Sequence, residues 1–281
     1  CDVSLWEHKG GRLICHYCGY TQPLPKLCPK CGSKYILGFK AGTQQIEDKL
    51  KELYPGVRTL RMDADTTRAK DSYEKILSAF SNGEADVLIG TQMIVKGHDF
   101  PKVTLVGILA ADLSLNASDY RAGERTFQLL TQAVGRAGRG ALPGEAVIQT
   151  YQPDHYAITC AAAQDYKSFY EEEILYRELS GYPPAAHMLA VQIYGKEEEN
   201  VKQLARRLTD VVKSNMDFLQ ILGPTPANIS KINDIYRYVF YAKHAEYDTL
   251  VAVKDCVEET LRQWQPRQLS IQFDFDPVNV L

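Results

Sequence analysis

Two stretches of the sequence place polar residues suited to phosphate chemistry at the end of an apolar run. The first covers residues 87–100, and the second covers residues 131–139. Arginine recurs at a three-residue interval in the second stretch, at Arg136 and Arg139. Hydroxyls, amides and guanidiniums are the side chains that bind phosphate oxygens, so the two stretches indicate nucleotide and nucleic-acid chemistry.

The first stretch ends an apolar run, 85–90, in polar residues. Thr91 and Gln92 follow this run directly, at the carboxyl end of a predicted strand, where open parallel sheets bind their ligands. Gly97 permits close approach of the backbone, and Asp99 is placed to orient a ribose, a water or an arginine. Because glycine and aspartate are also ordinary loop residues, a plain loop is the alternative.

The second stretch follows the apolar pattern of a helix that we predict over 124–137. Gln132 and Arg136 are four residues apart and therefore share one face of that helix. Arg139 comes three residues later, where Gly138 ends the helix. Two guanidiniums in this position form a planar, permanently charged clamp for a γ-phosphate. A structural salt bridge to the many carboxylates of the chain is the alternative.

Cysteines are concentrated at the start of the chain. Five of the seven lie within the first 31 residues, as Cys1, the pair Cys15 and Cys18, and the pair Cys28 and Cys31. Four thiolates in C-x-x-C pairs suit tetrahedral zinc with no open position, so the predicted site is structural. The segment has few apolar residues to bury, which argues against reduced structural cysteines. Metal ligands rather than disulfides indicate a reducing, cytosolic compartment.

The composition is that of an ordinary globular protein long enough for two domains. The 281 residues are 45% hydrophobic and 24% charged, with a net charge of −3. This charge provides no general attraction to nucleic acid, so any such binding must use local patches. No run of eighteen apolar residues occurs, and we expect no membrane partner. The chain opens on Cys1 instead of methionine, and we expect it to be a piece of a longer protein.

The apolar pattern from residue 35 onward alternates between strands and helices, which predicts an α/β domain over 35–152. Its strands are nearly continuous in apolar residues, as in a parallel sheet with helices on both faces. The predicted elements are strands over 35–39, 57–62, 85–90, 103–110 and 145–150, and helices from Thr43 (with Ile46, Leu50 and Leu53 inward), over 67–80 and over 124–137.

Residues 153–184 are predicted to form a helical connector, which Gly181-Tyr-Pro-Pro184 ends. Over 185–281, the order strand, helix, strand, strand, helix, strand indicates a ferredoxin-like α+β domain. Basic and aromatic residues interleave between Lys231 and Lys243, either to clamp single-stranded nucleic acid or to line an ordinary polar sheet face. The predicted strands are 188–194, 219–222, 236–242 and 269–275, and the predicted helices are 197–216 and 247–264.

Residues 90–100, Gly-Thr-Gln-Met-Ile-Val-Lys-Gly-His-Asp-Phe, and 132–139, Gln-Ala-Val-Gly-Arg-Ala-Gly-Arg, resemble the fifth and sixth motifs of superfamily 2 helicases. Together with the cysteine pairs, Arg61–Thr66 and Asp274–Pro277, they make the whole chain similar to the bacterial replication-restart DNA helicases of the primosome. The resemblance implies an ATP-driven 3′→5′ helicase that recognises stalled forks and reloads the replicative helicase.

The resemblance also implies an architecture. Residues 35–152 would form the second, RecA-like helicase lobe, which bears a zinc-binding cysteine-rich insertion at 1–34. After the connector, residues 185–281 would resemble ribosomal protein S10. The implied cofactors are zinc, and ATP with Mg²⁺.

Residue roles follow by the same resemblance. Arg136 and Arg139 would be arginine fingers, and Gln132 and Asp99 would be partners of the nucleotide and of those fingers. Gly97 would be a point of backbone approach to the nucleotide. The residues implied to lie along the DNA are Thr91, Gln92 and Lys96.

The sequence contains no G-x-x-x-x-G-K-[ST] loop and no D-E-x-H element. ATP and Mg²⁺ are therefore expected to be bound mainly by a lobe outside this sequence, and the chain alone is expected to be inactive. The implied partners are branched and single-stranded DNA, single-strand DNA-binding protein and other primosome proteins, in the bacterial cytoplasm. The alternatives are a non-enzymatic, zinc-stabilised scaffold that binds DNA and primosome proteins, and an RNA helicase.

Two groupings of the zinc ligands stay open. In the resembled family, four C-x-x-C pairs hold two ions, with the inner pairs on one ion and the outer pairs on the other. This implies that Cys1, Cys15 and Cys18 share an ion and that Cys28 and Cys31 belong to another. Local spacing would instead join the two complete pairs of this chain around a single ion. We expect one zinc or partial occupancy.

Overall fold

A computed structural model describes residues 1–3, 5–8, 11–34, 42–67, 69–95, 100–117, 119–266 and 268–278. The strand predicted over 35–39 lies outside these residues. The chain divides into two compact units of mixed α/β structure. Unit 1 comprises Cys1–Pro25, Ser118–Arg121 and Tyr170–Leu281, and unit 2 comprises Lys26–Ala117 and Ala122–Phe169.

The start of the chain forms a small antiparallel sheet in unit 1. Its strands are β1 (Trp6–His8), β2 (Arg12–Ile14) and β3 (Thr21–Pro23), in the order β1-β2-β3. The turn between β2 and β3 is closed by hydrogen bonds from Cys15 N to the Tyr20 carbonyl at 2.8 Å and from Gly19 N to the Cys15 carbonyl at 2.9 Å. The first cysteine pair is therefore part of an ordered turn.

Unit 2 contains two parallel strand pairs, β4 with β5 and β6 with β7. Parallel pairing was expected, but the described residues form two separate two-stranded sheets and not one sheet with helices on both faces. The elements are α1 (Thr43–Leu53), β4 (Thr59–Met62), α2 (Ser72–Ser81), β5 (Val87–Gly90), a 3-10 turn (Gln92–Val95), β6 (Leu105–Ile108), α3 (Asp112–Leu115), α4 (Ala122–Val134), β7 (Glu145–Ile148) and α5 (Tyr156–Ala163).

Two helices of unit 2 differ from prediction at their edges. In α1, Ile46 and Leu50 are half-buried as expected, but Leu53 is 58% exposed. Helix α2 begins at Ser72 instead of residue 67, because the hydroxyls of Thr66 and Thr67 bond the Asp63 carbonyl and hold residues 63–67 in a turn. Local side-chain hydrogen bonds of this kind compete with helix formation.

Two further helices end earlier than predicted. Helix α4 ends at Val134 instead of residue 137, since Arg136 N bonds the Ala133 carbonyl three residues back and Gly138 takes a positive φ of 70°. The connector breaks into two helices at Gln164, which has a φ of 57°. Its second helix is α6 (Tyr166–Ser180).

The C-terminal part of unit 1 has the predicted order of strands and helices. Its sheet is antiparallel in the order β11-β8-β10-β9, the arrangement of a ferredoxin-like split fold. Leu189, Val191 and Phe240 on one face of the sheet are fully buried against the two helices. The elements are β8 (His187–Gly195), α7 (Glu198–Asn215), β9 (Gln220–Ile232), β10 (Ile235–His244), α8 (Tyr247–Trp264) and β11 (Leu269–Phe275).

Strand β9 is much longer than the predicted 219–222. Pro224 and Pro226 lie within it, and a sequence pattern with prolines does not resemble a central strand. The strand tolerates them because it lies at the edge of the sheet and because its pairing with β10 shifts register twice. Prolines are expected at such edges and irregularities.

Candidate functional site

The carboxyl ends of β4 and β5 form one edge of unit 2. The strands are parallel with Met62 opposite Gly90, so the residues that follow each strand leave from the same edge. A Cβ atom at Gly90 would lie 2.5 Å from the Met62 carbonyl oxygen and 2.5 Å from Ile94 Cγ2. Glycine is therefore required for this close approach of β4, β5 and the following turn.

The polar residues predicted at this edge are accessible. Thr91 and Gln92 are both exposed, and the 3-10 turn closes with a hydrogen bond from Ile94 N to the Thr91 carbonyl at 3.2 Å. A ligand bound at the carboxyl ends of the strands can therefore contact both side chains. The other three residues predicted in this stretch, Lys96, Gly97 and Asp99, lie outside the described residues.

The structure brings Arg136 to this same turn. Its Nη2 atom donates a hydrogen bond of 2.7 Å to the carbonyl oxygen of Val95, the last residue of the 3-10 turn. Arg136 is half-buried and lies beyond the end of α4, so it is positioned by the turn after the helix and not by a helix face shared with Gln132. The contact joins the two motif stretches.

Arg139 and Gln132 are both exposed. Nε of Arg139 donates to the carbonyl of Gly135 at 2.6 Å, so its guanidinium lies against the carboxyl end of α4. A cation is favoured there, because the last carbonyls of a helix carry partial negative charge. Of the two predicted arginines, the structure brings Arg136 to the 91–95 turn.

The turn that carries these arginines is packed so closely that side chains are excluded. Gly138 has a φ of 70° and its N–H donates to the Val103 carbonyl at 3.0 Å. A Cβ atom on Gly144 would lie 2.0 Å from Gly138 N and 2.4 Å from the Ala137 carbonyl carbon. The glycine pattern thus fixes the backbone path on which Arg136 and Arg139 sit.

Gln164, which belongs to none of the predicted motifs, connects this turn to α5. Its Nε2 atom donates to the Thr131 carbonyl at 3.1 Å and to the Ala161 carbonyl at 3.2 Å. Thr131 also accepts from Gly135 N at 3.0 Å. The amide therefore caps the ends of two helices at once, one of which leads into Arg136.

Asp63 closes the loop after β4 within the motif Arg61–Thr66. Its carboxylate accepts from the backbone N–H groups of Asp65 and Thr66, each at 3.0 Å, and from the Thr43 hydroxyl. Burial acts to raise the pKa of Asp63, but these hydrogen bonds and the Arg61 guanidinium at 2.9 Å outweigh it and lower the pKa overall. Asp63 therefore organises the loop as a fixed anion.

The thiol sulfurs of Cys1, Cys15 and Cys18 lie within 4.8 Å of one another. This is the grouping implied by the resemblance, whereas Cys28 and Cys31 fall in unit 2. Cys15 is buried, and the other two of the group are exposed. Three thiolates converging on one point are a donor set that fits zinc, which prefers sulfur ligands in tetrahedral geometry.

Backbone N–H groups lower the thiol pKa of the first cysteine in each C-x-x-C pair. The N–H groups of Cys18 and Tyr17 lower the pKa of Cys15 against a smaller opposing effect of burial. The N–H groups of Cys31 and Lys30 lower the pKa of Cys28 in the same way. Because the thiolate is the form that binds a metal, each C-x-x-C turn favours the ligating state of its first cysteine.

Three of the basic and aromatic residues of β10 are buried and are not available to clamp nucleic acid. Arg237 and Lys243 are only 9% and 5% exposed, and Tyr238 belongs to the buried core. Lys243 Nζ donates to the Ser180 carbonyl at 3.0 Å and lies 3.3 Å from the centre of the Tyr182 ring, and burial lowers its pKa to about 8. The alternative, a sheet face with ordinary structural contacts, holds for these residues.

Comparison with protein families defines the class of this chain. The model of the Helicase conserved C-terminal domain matches residues 24–141, and that of the PriA DNA helicase Cys-rich region (CRR) domain matches residues 1–23. The chain thus contains a helicase C-terminal domain preceded by a cysteine-rich region. Residues 178–278 match the Primosomal protein N C-terminal domain. The chain belongs to the PriA family of replication restart proteins.

Three curated relatives, each called Replication restart protein PriA, illustrate the similarity. That of Bacillus subtilis is 43% identical over 99% of this chain and 35% of its own length. That of Synechocystis is 38% identical over 100% of this chain and 34% of its own length, and that of Chlamydia pneumoniae is 44% identical over 87% and 33%. The chain therefore spans about a third of the length of these relatives. Within the described residues, no helix is both long and apolar enough to cross a bilayer.

Proposed function

We propose that this chain supplies the second helicase lobe, the cysteine-rich region and the C-terminal domain of an ATP-dependent 3′→5′ DNA helicase. The helicase recognises stalled replication forks and restarts replication by assembling the primosome. Membership of the PriA family supports the biological role. The observation that carries the motor interpretation is the hydrogen bond from Arg136 to Val95, which joins the two helicase-like motifs.

In this proposal, Arg136 and Arg139 stabilise the negative charge that develops as the γ-phosphoryl group of ATP passes to water. The Val95 carbonyl fixes the orientation of the Arg136 guanidinium in advance, which is how electrostatic stabilisation becomes efficient. Gln132 contacts the nucleotide and the arginines, as does Asp99, and Gly97 allows the backbone to approach the nucleotide.

ATP and Mg²⁺ are held mainly by residues outside this sequence, since the sequence contains no phosphate loop. The chain alone is therefore inactive as an ATPase. Its contribution to the reaction is positive charge placed against a triphosphate that another lobe binds. Because one lobe binds ATP and the other supplies the arginines, ATP hydrolysis depends on the relative position of the two lobes.

The DNA runs along the exposed edge at which β5 ends. Thr91 and Gln92 contact it there with hydroxyl and amide groups, and Lys96 contributes a charge to the phosphate backbone. The substrates are branched and single-stranded DNA, and the protein partners are single-strand DNA-binding protein and other primosome proteins. The setting is the bacterial cytoplasm.

Zinc is the metal of the cysteine-rich region. Cys1, Cys15 and Cys18 hold one ion, in line with the cluster of their three sulfurs. Cys28 and Cys31 form half of a second site, which is at most partly occupied. The site is structural, because in the family pattern four thiolates complete each ion and leave no position for a reacting water. Zinc stabilises the fold of the cysteine-rich region, which has few apolar residues with which to form a hydrophobic core.

The proposed domains are a cysteine-rich region over 1–34, a RecA-like lobe over 35–152, a connector over 153–184 and an S10-like domain over 185–281. The strand order of the last domain supports this division, because it forms a complete split βαββαβ fold by itself. The two parallel strand pairs of unit 2 are the partial support for the RecA-like lobe.

The test is ATP turnover in the full-length protein that joins this chain to its ATP-binding lobe. We expect Arg136→Ala to lower DNA-stimulated turnover by roughly 10³-fold or more, while DNA affinity stays unchanged. The matched control is Arg262→Ala, which removes an exposed arginine of α8 and leaves turnover intact. If Arg136→Ala keeps full DNA-stimulated turnover, Arg136 is not an arginine finger, and the alternative of a zinc-stabilised scaffold is favoured for this chain.

A further inference from the structure

The hairpin between β9 and β10 reaches the first cysteine of the chain. Its two turn residues, Asn233 and Asp234, have φ angles of 49° and 61°, as in a tight two-residue hairpin turn. The backbone N–H of Asn233 donates to the Cys1 sulfur at 3.2 Å. This contact links residues that are 232 positions apart in the sequence.

Two hydrogen bonds of Asp2 lie beside the N–H to sulfur contact. Asp2 N donates to the Lys231 carbonyl at 2.9 Å, and the Ser230 hydroxyl donates to the Asp2 carboxylate at 2.6 Å. The turn itself is braced by an ion pair of 3.0 Å between Lys231 and Asp234. Residues 1–2 are therefore held on an ordered part of the C-terminal sheet.

The origin of the N–H donor differs between the cysteines of the cluster. Cys15 receives its donors from Tyr17 and Cys18, within its own C-x-x-C turn. Cys1 receives its donor from Asn233, in a different structural element. Groups that hydrogen-bond to a metal ligand orient it and tune its affinity, and their loss typically weakens binding.

We propose that the β9–β10 turn is an outer shell of the metal site, in which the Asn233 N–H positions the Cys1 sulfur as a ligand. The inference rests on the zinc assignment made above and is independent of the motor proposal. Because linkage is reciprocal, metal at the cysteine cluster also stabilises the hairpin of the C-terminal domain. The metal site thereby couples the cysteine-rich region to that domain.

Cadmium-113 nuclear magnetic resonance on the chain tests this directly. With cadmium in the cysteine cluster, we expect a scalar coupling between the metal and the amide proton of Asn233, transmitted through the N–H to sulfur hydrogen bond. A matched variant, Asn233→Gly, keeps the N–H and tolerates a positive φ, so it retains the coupling. It also removes the side-chain oxygen, which lies 4.0 Å from the Cys1 sulfur.

A shortened hairpin provides the second arm of the test. Deleting Ile232 and Ile235, which pair with each other, draws the turn back by about 3.4 Å and leaves the pairing of Lys231 with Tyr236 intact. We expect the coupling to vanish and zinc affinity, measured by competition with a chromogenic chelator, to fall about 10–100-fold. Circular dichroism checks that the sheet is retained.

The possible outcomes distinguish a failure of the proposed outer-shell role from a failure of the zinc assignment on which it rests. Bound cadmium without a coupling to Asn233, or an unchanged zinc affinity in the shortened variant, would overturn the outer-shell role alone. Absence of cadmium–thiolate absorption would overturn the zinc assignment and this inference together. Neither result bears on Arg136, whose test uses ATP turnover.

Discussion

The guanidinium of Arg136 and the carbonyl of Val95 meet at 2.7 Å, although 41 positions separate the two residues in the sequence. The carbonyl belongs to the turn that leaves β5, and the arginine belongs to the turn that leaves α4. A main-chain acceptor cannot be lost by substitution of its side chain, so the contact persists through sequence change at position 95. The orientation of Arg136 therefore depends on the backbone of the neighbouring motif.

Replacement of Arg136 by lysine keeps the positive charge but removes the planar guanidinium group and its several N–H donors. Lysine offers a point charge and cannot donate to Val95 and to a phosphate in the same fixed plane. We expect Arg136→Lys in the full-length protein to lose turnover by roughly 10³-fold, close to the loss of an arginine finger. Steady-state ATPase assays with saturating single-stranded DNA measure this, and a turnover near that of the parent protein would contradict it.

Substitutions of Gln164 test the double cap on α4 and α5. Gln164→Ala loses two hydrogen bonds and keeps the strained positive φ, so we expect a loss of about 1–3 kcal/mol in the free energy of unfolding. Gln164→Gly loses the same bonds but relieves about 1 kcal/mol of strain. Urea unfolding should rank the parent first, glycine second and alanine last. An alanine variant as stable as the glycine variant would show that the φ of residue 164 carries no strain.

Addition of a single methyl group at Gly144 should disrupt the arginine-bearing turn. Its Cβ would lie 2.0 Å from Gly138 N, and no flexible side chain can move aside. We expect Gly144→Ala to cost about 3 kcal/mol or more. The control is Gly107→Ala in β6, where no atom lies within 4 Å of the added Cβ and alanine is at least as stable as glycine. Thermal unfolding of both variants measures the contrast, and equal midpoints would refute the packing argument.

Tyr120 is held within unit 1 by stacking and by one hydrogen bond. Its ring lies 5.0 Å from that of Tyr182 at an angle of 6°, and its hydroxyl donates to the Pro277 carbonyl at 3.1 Å. Tyr120→Phe loses only the hydrogen bond, so we expect a cost of about 1 kcal/mol. Tyr120→Ala also loses the stack and the Arg177 cation at 5.2 Å, for a cost of about 3 kcal/mol. If both variants unfold at the same urea concentration, the stack contributes nothing.

The pH dependence of stability should report the burial of Lys243. Its pKa of about 8 in the folded chain lies below the ordinary value of 10.5. Between these values the unfolded chain binds more protons than the folded chain, so this group makes the free energy of unfolding rise with pH. Below about pH 8 the cost of burying the charge is fully present. Lys243→Met should lack the rise, and parallel curves for the two proteins over this range would contradict the assignment.

Local pattern was sufficient for the elements and their order in the C-terminal domain. The run of apolar residues at the start of β8 and the 3.6-residue period of α7 are properties of consecutive residues, and the predicted strand and helix are both confirmed. The same logic failed for β9, where prolines interrupt the pattern but the edge position tolerates them. It also failed at the end of α4, where a turn against Val103 replaces the last helical residues.

The sequence by itself determined the helicase-like motifs, the paired cysteines and the βαββαβ order, because each depends on residue types at short, fixed spacings. The tertiary structure alone decided that Arg136 reaches Val95, that Gln164 caps α4 and that Asn233 donates to Cys1. It also decided that Lys243 is buried instead of available to DNA. These relationships join residues far apart in the chain, and their geometry is fixed only when strand pairing and core packing bring the segments together.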